Sequence, residues 1–197
     1  MLVEEGGNLL KGEEWGMAVP EPVQIDELPK SVEEFVALCD RVARVPQGGV
    51  AMMAVALLVY ADDEELGRKC LPVAIDQERL SEGPKGYEGW QLRASDIWLL
   101  HTQIKDRAYV PRSYIRGATP ENGYRMPDPP YVFEFADSPH SGDPELGMYK
   151  VFITSSGASS LRPVTVRRNS EGIWKVCEWS TLVVGVEEPA QGTLDGP

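Results

Sequence analysis

The spacing of hydrophobic positions changes along the chain, from a helical period in the first half to alternation in the second. The first helical pattern begins at Ser31, which forms a capping-box signature with Glu34, and Pro46 and the following glycine pair end it. Between these limits apolar side chains recur at helical spacing, at Val32, Phe35, Leu38, Cys39 and Val42. The pattern therefore predicts a first helix from Ser31 to about residue 45.

Three more helices follow in the pattern. Residues 50–60 are apolar around most of a helical circumference, which predicts a central helix covered on several sides. Asp62 or Asp63 is expected to cap a third helix, whose apolar face carries Leu66, Cys70 and Leu71. After a turn-rich stretch at 81–89, Ser95 or an adjacent residue is expected to cap a fourth helix carrying Ile97, Leu100 and Ile104.

From Tyr131 onward, apolar and polar residues alternate with the period of a strand. This alternation predicts four strands, at 131–135, 148–154, 162–168 and 172–179. A short link, Asn169 to Gly172, joins the last two strands and predicts an antiparallel hairpin. Helices followed by strands indicate an α+β fold, with an N-terminal antiparallel helical layer packed on a mainly antiparallel sheet of about four strands.

The ends of the chain lack this periodicity. Residues 1–26 mix Gly, Glu and Pro and are predicted to form a flexible arm, and residues 187–197 a flexible tail. A single domain is expected between them, at 27–186. Within it, residues 107–130 hold five prolines and two glycines, which predicts a long ordered loop.

Charge and cysteine content narrow the possible partners. The chain carries 19 Lys and Arg against 31 Asp and Glu, a net charge of −12, so neither nucleic acid nor an anionic membrane is an expected partner. The basic residues concentrate after residue 90, so any anion site is expected in the second half.

The apolar runs and the cysteines bear on the location of the protein. The longest apolar run, 50–61, is too short to span a bilayer, and three widely spaced cysteines indicate buried thiols in a reducing compartment. A cytoplasmic location is therefore expected.

The chain contains none of the common catalytic, phosphate-binding or metal-binding motifs. No catalytic residue, metal site or cofactor is therefore predicted, although a triad of Ser155 or Ser156 with His140 and Asp143 is conceivable. A surface loop is the favoured interpretation of those residues. His101 is expected to be a partly buried structural histidine.

Other polar and aromatic positions receive structural interpretations. Glu134 and Glu178 alternate with apolar neighbours on predicted strands, so solvent-facing sheet positions are expected for both. Four tryptophans are expected to complete the core between helices and sheet, with a tryptophan-lined ligand cavity as the alternative: Trp90, Trp98, Trp174 and Trp179.

The predicted loop at 107–130 carries an unusual alternation of arginine and tyrosine. The seven candidate ligand- or partner-binding residues are Arg107, Tyr109, Arg112, Tyr114, Arg116, Tyr124 and Arg125. Arginine offers a planar donor fork for carboxylate or phosphate, and tyrosine a rigid amphipathic contact, so this composition suits recognition. The competing interpretation is structural: the arginines pair with the acidic helical layer and the tyrosines hold the loop against the core.

Several blocks of the sequence resemble the recurrent blocks of an uncharacterised bacterial protein family, one of the domains of unknown function. They run in the same order over residues 27–186 and include ELPKSVEEF, DDEELGRKCL, PRSYIRGATPENGY and RPVTVRRNSEGIWKVCEWS. The resemblance implies a bacterial, cytosolic domain but brings no activity, cofactor or catalytic residue.

These observations favour a noncatalytic protein-interaction module, such as an accessory or immunity-type protein. The acidic surface and the Arg/Tyr segment fit recognition of another protein or of a small anionic ligand. The alternative is a small-ligand-binding domain, conceivably an enzyme, with a pocket between the helices and the sheet.

Overall fold

The computed structural model describes residues 19–190. Helix α1, Val32–Val42, begins where the capping signature predicts, because the Glu34 amide donates to Ser31 Oγ at 3.2 Å. The return bond differs from a regular capping box: the Glu34 carboxylate accepts from the amide of Lys30 rather than from that of Ser31. The Glu34 amide, one of the orphan amides in the first turn of α1, is thereby satisfied, and so is the Lys30 amide just before the helix.

Helix α2, Pro46–Asp62, is the centre of the molecule, and it is buried continuously from Gly48 to Tyr60. Pro46, expected to end α1, instead opens α2, where a missing amide hydrogen costs nothing. Gly49 lies inside α2 because a Cβ at this position would come within 2.7 Å of the Trp174 carbonyl oxygen. The glycine therefore allows the helix to approach the sheet closely.

Helix α3, Glu64–Ala74, packs antiparallel to α2 and confirms the predicted helical layer. Asp63 is its N-cap, accepting from the Leu66 amide at 3.0 Å. Gly67 faces Tyr60 so closely that a Cβ would overlap the backbone of α2.

The turn-rich stretch after α3 forms a hairpin rather than isolated turns. Strands β2, Ser81–Tyr87, and β3, Trp90–Gln91, pair antiparallel around a two-residue turn of Glu88 and Gly89, both with positive φ. Helix α4, Ala94–Gln103, follows directly and has Arg93 as its N-cap, so the predicted cap at Ser95 lies two residues too late.

The 107–130 segment is ordered, as predicted, and contains two short helical pieces. The single turn α5, Tyr109–Arg112, and a 3-10 turn, Pro120–Asn122, occupy it, so the segment is not a plain loop. Pro111 lies in the single turn of α5, and Pro120 is the first residue of the 3-10 turn. Both prolines lie in the first turn of their element, where the amide hydrogen that proline lacks would have no partner within the helix.

Two antiparallel sheets organise the remaining chain. Strand β1, Val23–Ile25, pairs with β4, Tyr131–Phe133, in a small sheet. The second sheet has the order β5-β6-β7-β8 and comprises Phe135–Ala136, Met148–Ile153, Arg162–Arg168 and Trp174–Glu178. Hence the first predicted strand splits at Glu134 between the two sheets, and the predicted β7–β8 hairpin at Asn169 is confirmed.

The architecture confirms an α+β fold. Helix α2 packs on one face of the four-stranded sheet, whose inward side chains are fully buried at Val151, Ile153, Val164, Val166 and Val176. The alternation along each strand leaves polar side chains on the opposite face. None of the helices within residues 19–190 has the length and apolarity to cross a membrane.

The ordered domain extends past both predicted boundaries. Ile25 of β1 is buried in the core, so the expected arm at 1–26 is wrong for its last residues, and residues 1–18 lie outside the described range. At the other end, the amide of Glu187 donates to Gly157 and that of Ala190 donates to Pro120. The first residues of the expected tail at 187–197 are therefore hydrogen-bonded to the domain, and residues 191–197 lie outside the described range.

Two side-chain placements differ from expectation. Trp174 and Trp179 are buried and Trp90 is half-buried, but Trp98 is 66% exposed on α4 and adds nothing to the core. His101, one turn further along α4, is also exposed rather than partly buried. Both lie on the outer side of α4, because Leu100 and the following Ile104 supply its buried contacts.

Candidate functional site

The tyrosines of the 107–130 segment fasten it to the domain. The Tyr114 hydroxyl donates to the Leu182 carbonyl at 2.8 Å, and the Tyr124 hydroxyl donates to the Glu187 carbonyl at 2.7 Å. Tyr109 packs on Tyr124 with ring centroids 5.6 Å apart, so the stack joins the two ends of the segment. All three tyrosines are therefore committed to internal contacts.

The two buried phenols stay protonated across the physiological range. Burial raises the pKa of Tyr124 to about 12, helped by the negative charge of Glu187. Burial also raises the pKa of Tyr114, against a smaller opposing effect of the Arg162 charge. Each hydroxyl consequently remains a hydrogen-bond donor to its carbonyl.

Asn122 holds the middle of the segment in a fixed turn. Its carboxamide oxygen accepts from the amides of Thr119, at 3.0 Å, and Arg125, at 3.2 Å. Its carboxamide nitrogen donates to the Gly117 carbonyl at 2.8 Å. One side chain thus joins three points of the backbone between Gly117 and Arg125 and holds the turn that carries Arg125.

Serine hydroxyls, expected as conceivable nucleophiles, make further attachments of the same segment. Ser155 Oγ lies 2.8 Å from Ser113 Oγ, and Ser156 Oγ donates to the Ala118 carbonyl at 2.6 Å. The conceivable triad does not form, because Asp143 caps a 3-10 turn through the Glu145 amide and His140 is exposed in its loop. These serines connect the segment to the end of β6.

Three of the four arginines, Arg107, Arg116 and Arg125, are exposed, whereas Arg112 is half-buried. Arg116, with 57% of its side chain exposed, forms an ion pair with Glu134 at 3.2 Å. Within residues 19–190, no hydrogen bond or ion pair engages the guanidinium groups of Arg107, Arg112 or Arg125. We call these three residues the arginine set.

A groove of about 450 Å³ lies beside Arg112. Its apolar lining includes Leu58 of α2, Leu66 of α3, Met126 and Tyr131. Asp62, Asp63 and Lys30 add charged groups to the lining. The groove therefore combines apolar and charged side chains with an unpaired guanidinium.

The blocks of the sequence that resemble a known family converge at this surface. PRSYIRGATPENGY, at 111–124, bonds to Ser155, Ser156 and the carbonyl of Leu182, which lie on either side of the RPVTVRRNSEGIWKVCEWS block at 162–180. A family model described as a domain of unknown function, DUF6935, matches residues 27–190. The chain belongs to the DUF6935 family.

The DUF6935 match spans all of the candidate binding residues and both sheets except for β1. No curated protein and no solved structure matches the chain. The match therefore gives the family of this chain but no activity.

Among the other side chains of this DUF6935 domain that could take part in chemistry, the cysteines are buried and Glu178 is paired with an arginine. The three cysteines are free and buried, and burial raises the pKa of Cys39 and of Cys70 to about 12 and that of Cys177 to about 11. In the described part of the chain, no three His, Cys, Asp or Glu side chains are grouped to hold a metal ion. Glu178 is exposed, as expected, and pairs with Arg79 at 3.6 Å.

The sequence interpretation missed the residues that make the segment rigid. Asn122, Ser113, Ser155 and Ser156 were not among the predicted site residues. The signal for Asn122 is present in the sequence, because Asn followed by Gly123 after Pro120 is typical of a tight turn with an Asx contact. The pairing of Ser113 with Ser155 spans 42 positions and leaves no local signal.

Proposed function

We propose that this DUF6935 domain is a noncatalytic protein-interaction module that binds an acidic segment of a partner protein through the arginine set. A bacterial accessory or immunity-type role in the cytoplasm agrees with this proposal. The observation that carries it is the contrast within one segment: the tyrosines are fixed internally, while Arg107, Arg112 and Arg125 have no partner among residues 19–190.

Rigid presentation supports a binding role for these arginines. A backbone that is already fixed needs no further ordering when a carboxylate binds, so only the arginine side chains lose conformational freedom. The Tyr109–Tyr124 stack and the Asn122 bonds supply that fixed backbone. A bidentate contact to Asp or Glu suits the planar fork better than a contact to a neutral group.

The groove beside Arg112 supports a protein rather than a small anion as the ligand. Protein interfaces combine an apolar centre with a polar rim, and the groove has both. Asp62 and Asp63 in its lining disfavour any anion inside the groove, including a carboxylate of a partner. The arrangement therefore fits a partner segment that places an apolar anchor side chain in the groove and its carboxylates outside it, at Arg107 and Arg125.

The existing hydrogen bonds of the serines and the ion pair of Glu134 support the noncatalytic part of the proposal. The serine hydroxyls donate to backbone carbonyls or to each other, and Glu134 is paired with Arg116. A nucleophile needs a base within hydrogen-bond reach, and the serines have hydroxyl or carbonyl neighbours instead.

The proposal is tested by affinity capture from cells that encode the protein, using three immobilised full-length chains. These are the wild type, the variant Arg107→Gln/Arg112→Gln/Arg125→Gln, and a charge-matched control. The control, Arg41→Gln/Lys85→Gln/Lys150→Gln, removes three positive charges from exposed side chains outside the segment. Captured proteins are quantified by mass spectrometry at low and at high salt.

We expect at least one protein to be captured by the wild type and the control and lost from the arginine variant. Its capture should weaken as salt rises, because exposed charge pairs are screened. If every captured protein is retained equally by the arginine variant and the control, the arginine set is not the binding surface.

A further inference from the structure

A second cleft, of about 420 Å³, lies on the other side of the helical layer. It is bounded by the β2–β3 hairpin, by α1 and α3, and by the turn between β7 and β8, and we call it the hairpin cleft. Its volume falls in the range of small-molecule sites. None of the arginine set lines it.

Two aromatic side chains of the hairpin face this cleft. Tyr87 and Trp90 are cross-strand partners, so their side chains lie on the same face of the hairpin. Both are half-buried and both line the cleft, opposite Val36 of α1 and Pro72 of α3. The aromatic pair therefore forms one wall of a partly apolar cleft.

Carboxylates from three different elements surround the aromatic pair. Asp40 comes from α1, Glu88 from the hairpin turn and Glu171 from the β7–β8 turn. Among residues 19–190, none of these three carboxylates forms an ion pair. The nearest cations bond to backbone carbonyls instead: Arg44 donates to the carbonyls of Asp40 and Glu171, and Lys175, which lines the cleft, donates to that of Val73.

The remaining charged groups of the cleft are already engaged. Asp76 accepts from the Glu78 amide at 3.1 Å and lies 3.5 Å from Arg167. Lys175 donates its Nζ to the Val73 carbonyl at 2.7 Å. The cleft is lined by four carboxylates, of Asp40, Asp76, Glu88 and Glu171, against the one ammonium of Lys175, so its lining carries a net negative charge.

The hairpin turn has an unusual residue at its first position. Glu88 has φ of +48°, in a two-residue turn where Asn or Gly is usual because they tolerate the left-handed region. Burial raises the pKa of Tyr87, and the charge of Glu88 and those of Glu33 and Asp40 add to this shift. The strained turn thus keeps a carboxylate beside the aromatic wall.

We propose that the hairpin cleft binds a small organic cation of the alkylammonium class. Aromatic faces attract cations through their quadrupole, most strongly in tryptophan, and nearby carboxylates add attraction of the same sign. An anion is disfavoured by the three unpaired carboxylates, and a neutral apolar ligand gains nothing from them. The site is separate from the arginine set and does not depend on the function proposed for it.

Isothermal titration of the full-length chain with choline tests the proposal. The comparison ligand is 3,3-dimethylbutan-1-ol, which has the shape of choline without its charge. The variants are Trp90→Leu and Asp40→Asn/Glu171→Gln, and the control is Glu82→Gln, an exposed carboxylate of the same hairpin that does not line the cleft. A lysine-containing tripeptide distinguishes a free cation from a protein side chain.

We expect choline to bind at least tenfold more tightly than the neutral alcohol. Trp90→Leu should weaken choline binding about tenfold, and the double carboxylate variant should weaken it by a similar factor, while Glu82→Gln leaves it unchanged. If Trp90→Leu fails to fold, the double variant decides, because Asp40 and Glu171 are exposed.

Three results would each overturn the proposal. These are equal binding of choline and the neutral alcohol, no choline binding at 10 mM, and tighter binding of the tripeptide than of choline. The variant that lacks the arginine set should bind choline normally, so failure of this site and failure of the proposed protein interface are distinguishable.

Discussion

Tyr114 and Arg112 lie two positions apart, yet the structure gives them opposite surroundings. Tyr114 is 2% exposed and hydrogen-bonded to a carbonyl 68 positions away, whereas the guanidinium of Arg112 has no partner among the described residues. The sequence alternation of arginine and tyrosine predicted a special segment but left the roles open. The structure places the tyrosines in structural contacts, and recognition by the arginines stays a prediction.

We expect Tyr114→Phe to lower the free energy of unfolding by about 1–3 kcal/mol, because it leaves the buried Leu182 carbonyl without its donor. Urea unfolding measures the change. The matched control is Tyr149→Phe, which removes a hydroxyl that has no hydrogen bond within residues 19–190. Equal losses in the two variants would show that the Leu182 bond adds no stability.

The buried cysteines predict a loss of stability at alkaline pH. Their ordinary pKa is 9.0, and burial raises that of Cys39 and Cys70 to about 12 in the native state. Between these values the unfolded chain releases protons that the native chain keeps, so the free energy of unfolding falls as pH rises. Below pH 9 the native and unfolded thiols are both protonated, and this contribution is fully present.

Urea unfolding from pH 8 to pH 11 measures this effect. We expect the decline above pH 9 to be less steep in Cys39→Ala/Cys70→Ala, because that variant lacks the two thiols that differ most between the states. The slope with pH is compared, since the substitutions also change packing. Identical slopes in variant and wild type would contradict the assigned shifts.

At the scale of elements, the helices and the large sheet were predictable because their hydrophobic positions repeat with the period of a helix or of a strand. The apolar circumference of 50–60 identifies the central helix, and alternation identifies β6, β7 and β8. Strand β1 has three residues and finds its partner more than 100 positions away, so no local pattern reveals it. The β2–β3 hairpin was hidden by its glycines and proline, which are typical of turns.

The close packing of α2 on α3 predicts that Gly67→Ala is strongly destabilising. A Cβ at Gly67 would overlap the backbone of Tyr60, and backbone atoms in a buried helix cannot move aside without loss of packing. We expect a loss of about 1–3 kcal/mol in urea unfolding, although alanine is intrinsically the better helix former. Glu65→Ala, at an exposed position of the same helix, serves as the control.

A Gly67→Ala variant as stable as the wild type would show that α2 and α3 are further apart than described. A comparable loss in Glu65→Ala would show that a change on the exposed face of α3, such as loss of the Glu65–Lys69 ion pair at 3.1 Å, suffices without any packing effect. Such exposed helix pairs are worth only a few tenths of a kcal/mol, so we expect a small change in the control.

At the scale of the whole molecule, the order of helices before strands predicted the fold class. No sequence motif predicted the two proposed binding sites, the arginine set and the hairpin cleft. The hairpin cleft collects Asp40, Glu88 and Glu171 from three elements, and the arginine set is recognisable only once the tyrosines are seen to be engaged. Both sites depend on contacts between distant parts of the chain. The DUF6935 assignment names the family of this fold and leaves its activity to experiment.

The central claim is that the arginine set serves recognition and not folding. The most direct measurement is the melting temperature of Arg107→Gln/Arg112→Gln/Arg125→Gln beside that of the charge-matched control. For a chain of this length about 1 kcal/mol corresponds to about 2–4 °C, and surface substitutions without partners change stability little. The account predicts that both variants melt within about 3 °C of the wild type. A fall of about 6 °C or more in the arginine variant alone would show that these side chains stabilise the fold and would contradict the claim.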